Sequence, residues 1–175
     1  YNYNFNKLIQ ERDESEAFLI ENEKKFRLIV EKTNDIFYKQ NIYDGTFEYF
    51  SPNLTKILGY QFEEIANLSF EQQAELIHPE DLPNLLNFKN ELIEADFENN
   101  KNIERIFRLK SKSNVYHWIH GKYSLVKDLY DKPESIIGSL QDITEKIKNE
   151  EAITLANQTY LNIFNSVTEA IYVLD

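Results

Sequence analysis

Apolar and polar positions change their period several times along this 175-residue chain, and each change marks an element. Residues 7–34 lack Gly and Pro, are rich in charge, and place Leu8, Arg12, Ser15, Leu19, Asn22, Phe26 and Ile29 at alternating steps of four and three. That heptad-like stripe with polar gaps predicts a helix that either packs on its own domain or pairs with a second copy. Residues 35–40 read as a short apolar strand, Asp44-Gly45 as a hairpin turn, and residues 46–50 as a second strand. Ser51-Pro52 opens a helix, with Ser51 the candidate cap and Pro52 at the first helical position. A turn at His78-Pro79-Glu80 leads to a helix expected over residues 81–95, with Leu82, Leu85, Leu86 and Leu92 on its buried side. Residues 115–126 mix β-branched, aromatic and polar side chains without helical spacing, and Pro133 stands in an Asp-Lys-Pro turn before the apolar run 136–140. This predicts a long antiparallel hairpin. After Gln141 the composition becomes charged and helix-forming at once, so Asp142 or Thr144 is the natural N-cap and Glu145 adds favourable charge in the first turn.

The pattern at Phe26 returns at Tyr160. Phe26 aligns with Tyr160, Ile29 with Ile163, Val30 with Phe164, and Ile36-Phe37-Tyr38 with Ala170-Ile171-Tyr172. A repeat at domain length joined by a helix suggests tandem domains, the second cut off after its first strand.

The succession Trp118, Asp128, Gly138, then Asp142-Ile143-Thr144 where strand becomes helix resembles the C-terminal half of PAS domains. The segment from Phe47 through Ser51-Pro52 to Gly59-Tyr60 resembles the N-terminal half, so the likeness covers about residues 26–144. His-Pro-Glu-Asp at 78–81 belongs to the PAS subfamily with an Arg in the third strand and a Trp in the fourth, positions that Arg108 and Trp118 fit. By that resemblance residues 103–110 are the third strand and Ser113-Asn114 the turn into the fourth, Asn tolerating the left-handed conformation that Gly often supplies. The implied fold is α+β: a five-stranded antiparallel sheet with helices on one face, flanked by N- and C-terminal signalling helices. The implied divisions are a linker or coiled-coil helix over 1–25, the PAS domain with its PAC motif over 26–144, a linker helix over 145–159, and the start of a second PAS domain over 160–175.

Charge narrows the partners. With 19 Lys and Arg against 30 Asp and Glu, the net charge of −11 repels nucleic-acid backbones and anionic lipid surfaces. Cysteine is absent, which removes disulfides, thiol nucleophiles and thiolate metal sites. No apolar run is long enough to suggest a membrane span and no signal peptide opens the chain. A cytoplasmic location is therefore expected, with a membrane anchor elsewhere in a longer parent left open. The chain contains no phosphate-binding Gly-rich loop, nucleophile elbow or His-Glu-Xaa-Xaa-His motif, and Glu63-Glu64 and Glu80-Asp81 read as surface and helix-start charges. No catalytic or metal residue is assigned.

In the family's register a pocket between sheet and helices is lined by Phe37, Phe47, Tyr49, Ile57, Leu58, Phe107, Leu109, His117, Ile119, Tyr123 and Leu140, unless these side chains simply fill the core. His117 shares a strand face with Ile119, Gly121 and Tyr123, while Tyr116, Trp118 and His120 share the other. His78 reads as a turn or capping residue. Light-oxygen-voltage members of the family need a reactive cysteine and a glutamine where this chain has residues near Phe70 and Leu140, and oxygen-sensing haem members need a histidine in the helix that here spans 81–95. No flavin, haem or thioester chromophore is expected, which leaves an unidentified small molecule as the candidate occupant. Trp118, Asp142, Ile143 and Thr144 are the expected relay to the C-terminal helix. The reading is a sensory or relay module of a cytoplasmic signalling protein. The expected parent is a sensor histidine kinase or, alternatively, a diguanylate cyclase or phosphodiesterase. The module is expected to form a homodimer through its flanking helices and to adjoin a further PAS or output domain. The competing class is a small α+β pocket enzyme, for which His117 is the one base that the register places in the pocket.

Overall fold

The computed structural model describes the backbone of residues 2–85, 87–97 and 103–172, and side chains within 7–85, 87–95 and 103–165. Its five strands, β1 (Ile36–Asn41), β2 (Phe47–Phe50), β3 (Ile103–Lys110), β4 (Tyr116–Lys127) and β5 (Pro133–Asp142), form one antiparallel sheet in the order β2-β1-β5-β4-β3. Period-two alternation sets its faces. Ile36 and Tyr38 on β1, Ile136 and Leu140 on β5, and Ile119 and Tyr123 on β4 point inward and are buried, whereas Lys39 and Lys122 point outward into ion pairs with Glu48 and Glu104. Four short helices cover the inner face: α2 (Asn53–Leu58), α3 (Phe62–Ile65), α4 (Phe70–Glu75) and α5 (Phe88–Phe97). Leu54, Leu58, Ile65 and Leu92 enter the core from them. The observed architecture is the expected α+β arrangement, with long helices α1 (Asn2–Lys32) and α6 (Thr144–Tyr172) before and after the sheet.

The turns follow their residues. Gly45 (φ 73°) closes the β1–β2 hairpin, and the Asp44 carboxylate accepts from the Thr46 N–H and hydroxyl. Asn114 (φ 61°) makes the tight β3–β4 turn in the left-handed conformation. Gly59 (φ 79°) ends α2 as a left-handed cap. α1 is tied to the domain by buried Asn53, whose amide donates to the carbonyls of Val30 (3.3 Å), Thr33 (2.9 Å) and Asp35 (2.9 Å).

Several sequence expectations need correction. The helix expected over 81–95 is split into a 3₁₀ turn at Leu82–Asn84 and α5 from Phe88. Pro83 fits a first turn but brings no N–H to a longer helix, and asparagine, at positions 84 and 87, is a residue type that favours turns over helix interiors. Leu86 lies outside the described residues. Ser51 does not cap α2: its hydroxyl accepts from the Phe37 N–H at 2.9 Å, and Pro52 occupies the cap position without a side-chain bond. Pro133 begins β5 rather than standing outside it, and the turn residue is Asp131 (φ 62°). Residues 170–172, aligned by the repeat with the start of β1, are helical and continue α6.

Candidate functional site

A cavity of about 420 Å³ lies between the inner face of the sheet and α2–α5. Of the eleven expected pocket residues, Phe47, Leu58, Phe107, Leu109, Tyr123 and Leu140 line it. Phe37, Tyr49, Ile57, His117 and Ile119 do not. Phe37 shares the outward face with Lys39, because it is Ile36 and Tyr38 that are buried. Tyr49 is exposed because the β1–β2 pairing is irregular: Lys39 faces Tyr49 and Gln40 faces Phe47, leaving Glu48 as an extra residue. That bulge turns both Phe47 and Phe50 toward the cavity. Ile57 packs at the edge of the core while Leu54 and Leu58, four apart on α2, face the cavity. Ile119 is wholly buried in the core outside the cavity wall.

Sequence reasoning overlooked Tyr38, whose ring stands 5.4 Å from Phe47, 5.5 Å from Phe50 and 6.4 Å from Tyr123. A signal for it existed. Phe37 lies on the strand face that carries Lys39, so the charge marks that face as outward and Tyr38 as inward. Gln40 and Gln73 were also overlooked. Gln40 donates to the Gly45 carbonyl (2.8 Å) and to Gln73 Oε1 (3.1 Å), and Gln73 donates to the Gly45 and Leu68 carbonyls (3.0 Å each), tying α4 to the hairpin turn. Burial pushes the Tyr38 and Tyr123 phenols well above their usual pKa, so both stay protonated.

His117 belongs to a second site, at the β5–α6 junction. Its Nδ1 lies 2.7 Å from Asp142 Oδ2, while Asp142 Oδ1 accepts from the Thr144 N–H at 2.9 Å. Trp118 then holds both residues of the step into the helix: its N–H donates to Thr144 Oγ1 (2.9 Å) and its carbonyl accepts from the Ile143 N–H (2.8 Å). Asp142 is thus the capping side chain, and the Thr144 hydroxyl faces strand β4 instead. Burial raises the Asp142 carboxyl, but hydrogen bonds from Thr144 and His117 outweigh it and leave the pKa below the usual carboxylate value. All four expected relay residues meet in this one knot.

The outer face of the same strand explains the His-Pro-Glu-Asp motif. Asp81 takes the Arg108 side chain through two bonds of 2.9 Å and the Arg108 backbone N–H through one of 2.7 Å, while Glu80 accepts from Nη2 at 2.7 Å. The guanidinium lies 5.0 Å over the Trp118 ring. These bonds hold the Asp81 carboxyl below its ordinary pKa. His78 is a turn residue, stacked edge-on against Tyr116 at 4.8 Å, and His120 pairs with Glu104 at 2.7 Å. Among the described residues, no group of three or more His, Asp or Glu could hold a metal ion, and no helix is long and apolar enough to cross a membrane.

Comparison with known proteins agrees with this geometry. The model of the PAS fold family matches residues 47–140, and the chain belongs to that family. Among solved structures, it is similar to a sensory box histidine kinase/response regulator from Burkholderia thailandensis (22% identity over 79% of this chain and 98% of that one, TM-score 0.58). It is also similar to the N-terminal domain of a diguanylate cyclase with PAS/PAC sensor from Marinobacter aquaeolei (28% identity, 64% and 97% covered, TM-score 0.53). A third is the PAS domain of a Colwellia psychrerythraea protein (19% identity, 73% and 98% covered, TM-score 0.57). No curated protein matches the chain. PAS domains are sensory modules rather than catalysts, and this chain is a signalling module of that class.

Proposed function

We propose that the chain is the cytoplasmic sensory and relay module of a multidomain sensor histidine kinase, working as a homodimer through α1 and α6 and passing its signal from the cavity to α6. The observation that carries this reading is the junction knot. Leu140 lines the cavity, Asp142 lies two residues further along β5, and α6 starts at Thr144. A change at the cavity wall therefore has a short, hydrogen-bonded route into a helix of 29 residues. The kinase parent is supported by the similarity to the Burkholderia protein, and a diguanylate cyclase parent by the similarity at 28% identity to the Marinobacter protein. The repeat beginning at Tyr160, within α6, supports a second PAS domain whose start lies in residues 160–175.

Relay through a helix depends on phase. A helix turns by about 100° per residue, so one residue inserted after Lys148 in the full-length protein rotates everything downstream out of register, and seven bring it back to within about 20°. Single insertions are expected to lock or abolish regulated output, and seven-residue insertions to restore most of it. Regulation unchanged by both would make α6 a passive tether.

A further inference from the structure

Tyr38 and Tyr123 are the cross-strand neighbours of Gly138, one on each side: Tyr38 pairs with it from β1 and Tyr123 from β4. Both rings lie down on the sheet over glycines. A Cβ at Gly138 would stand 2.2 Å from Tyr38 Cε1, and one at Gly121 would stand 2.1 Å from the Tyr123 hydroxyl. The rings are almost entirely buried, with 8% of Tyr38 and 4% of Tyr123 exposed. Phenylalanine would fill the same space. What tyrosine adds is a hydroxyl, and a buried hydroxyl requires a hydrogen-bond partner. Among the described residues neither hydroxyl has one. Nor are they sealed away: among the described residues Ser135 Oγ alone is a fully buried side-chain polar atom without a partner, so both phenols keep some access, on rings that line the cavity.

The rest of the wall states the chemistry that fits. Leu54, Leu58, Phe107 and Leu140 are apolar, and the charged side chains at the lining, Asp44 and Lys89, are both exposed to solvent. The nearest cation, Arg105, faces Gly121 beside the Tyr123 hydroxyl but is already paired with Glu91, so an anion placed beside the phenols would be desolvated without a free cation to balance it. Each protonated phenol can donate and accept, but its O–H proton is satisfied only by an acceptor, which a ligand must bring.

We infer that the cavity binds an uncharged, mainly apolar molecule carrying one hydrogen-bond acceptor of the carbonyl type, which takes the hydroxyl protons of Tyr38 and Tyr123. This rests on the sensory reading above. It is tested on the chain alone, by occupancy rather than output, so failure here leaves the insertion result standing and the reverse also holds.

The experiment titrates the chain with acetophenone, ethylbenzene and benzoate, which share a ring and differ in carrying a carbonyl, no acceptor or a charge, while following the amide resonances of Gly121 and Gly138. Acetophenone is expected to shift both amides and to bind more tightly than either analogue. Tyr38→Phe and Tyr123→Phe should each weaken acetophenone by roughly three- to tenfold, the loss of one neutral hydrogen bond, and leave ethylbenzene unchanged. Tighter binding of benzoate, equal binding of ethylbenzene to the unaltered chain, or undiminished acetophenone binding by the Phe variants would each overturn the inference. So would the absence of any shift up to the solubility of the probes, which would mean that water alone serves the two hydroxyls. Should a Phe variant fail to fold, the comparison of the three probes on the unaltered chain decides.

Discussion

Gly138 shows how much one missing side chain can decide. It lies in the middle of the central strand, where a β-carbon would collide with the Tyr38 ring, whose own position is fixed by Phe47 and Phe50. Gly138→Ala is therefore expected to destabilise the protein by about 1–3 kcal/mol through overpacking. Adding Tyr38→Leu, which removes the ring, should make the pair less costly than the two changes taken separately, a coupling that urea denaturation of both single variants and the double variant would measure. Simple additivity would mean that the ring is not seated over this residue. Arg108 makes the complementary point. Its position in the sequence suggested a family marker, and its physical role is to hold the loop at 78–81 to β3 while covering Trp118.

At the scale of elements, the junction between β5 and α6 depends on one carboxylate with two jobs: Asp142 receives His117 on one oxygen and the first N–H of α6 on the other. Asp142→Ala should cost about 1 kcal/mol, as losses of capping side chains do, and should speed hydrogen exchange at Thr144 while sparing β3. Because its pKa is lower in the folded state, the carboxylate's contribution is complete above the ordinary carboxylate range and disappears as pH falls through the lowered folded value. The unaltered protein should accordingly lose stability on acidification more steeply than the Ala variant, and parallel profiles would argue against the bond. This junction was legible in the sequence because residue type and change of period coincide at Asp142-Ile143-Thr144. The cavity was less so. Strands β3 and β4 pair without interruption from Ile103↔Tyr123 to Lys110↔Tyr116, so alternation predicts their faces, whereas the bulge in β1–β2 leaves Phe47 and Phe50 on one side with no trace in the apolar pattern. His117 was misplaced for a different reason. It has the right face, but it stands at the α6 end of β4, beside Asp142 and beyond the cavity.

At the scale of the molecule, α1 enters and α6 leaves on neighbouring central strands, with Ile36 of β1 paired to Leu140 of β5. Both helices carry large apolar side chains in the open: Leu8, Leu19, Phe26 and Ile29 on α1, and Ile153, Leu155, Leu161 and Ile163 on α6, each more than half exposed. Their exposure among the described residues is the physical case for the proposed homodimer. Light scattering is expected to give twice the chain mass at micromolar concentration, with the dimer weakened when residues 1–25 are deleted. A monomer in both forms would remove the dimer from the proposal.

The order of the strands also bears on how the molecule is made. β5 is the last strand to be synthesised and the one that occupies the middle of the sheet, joining β1 to β4. On the ribosome the β1–β2 hairpin and the β3–β4 hairpin emerge as two separate pieces, each with an unsatisfied edge, until residues 133–142 arrive to close both at once. A nascent chain halted before Pro133 would be a pair of sticky hairpins rather than a partial domain, so the protein should be most dependent on chaperones during that late interval.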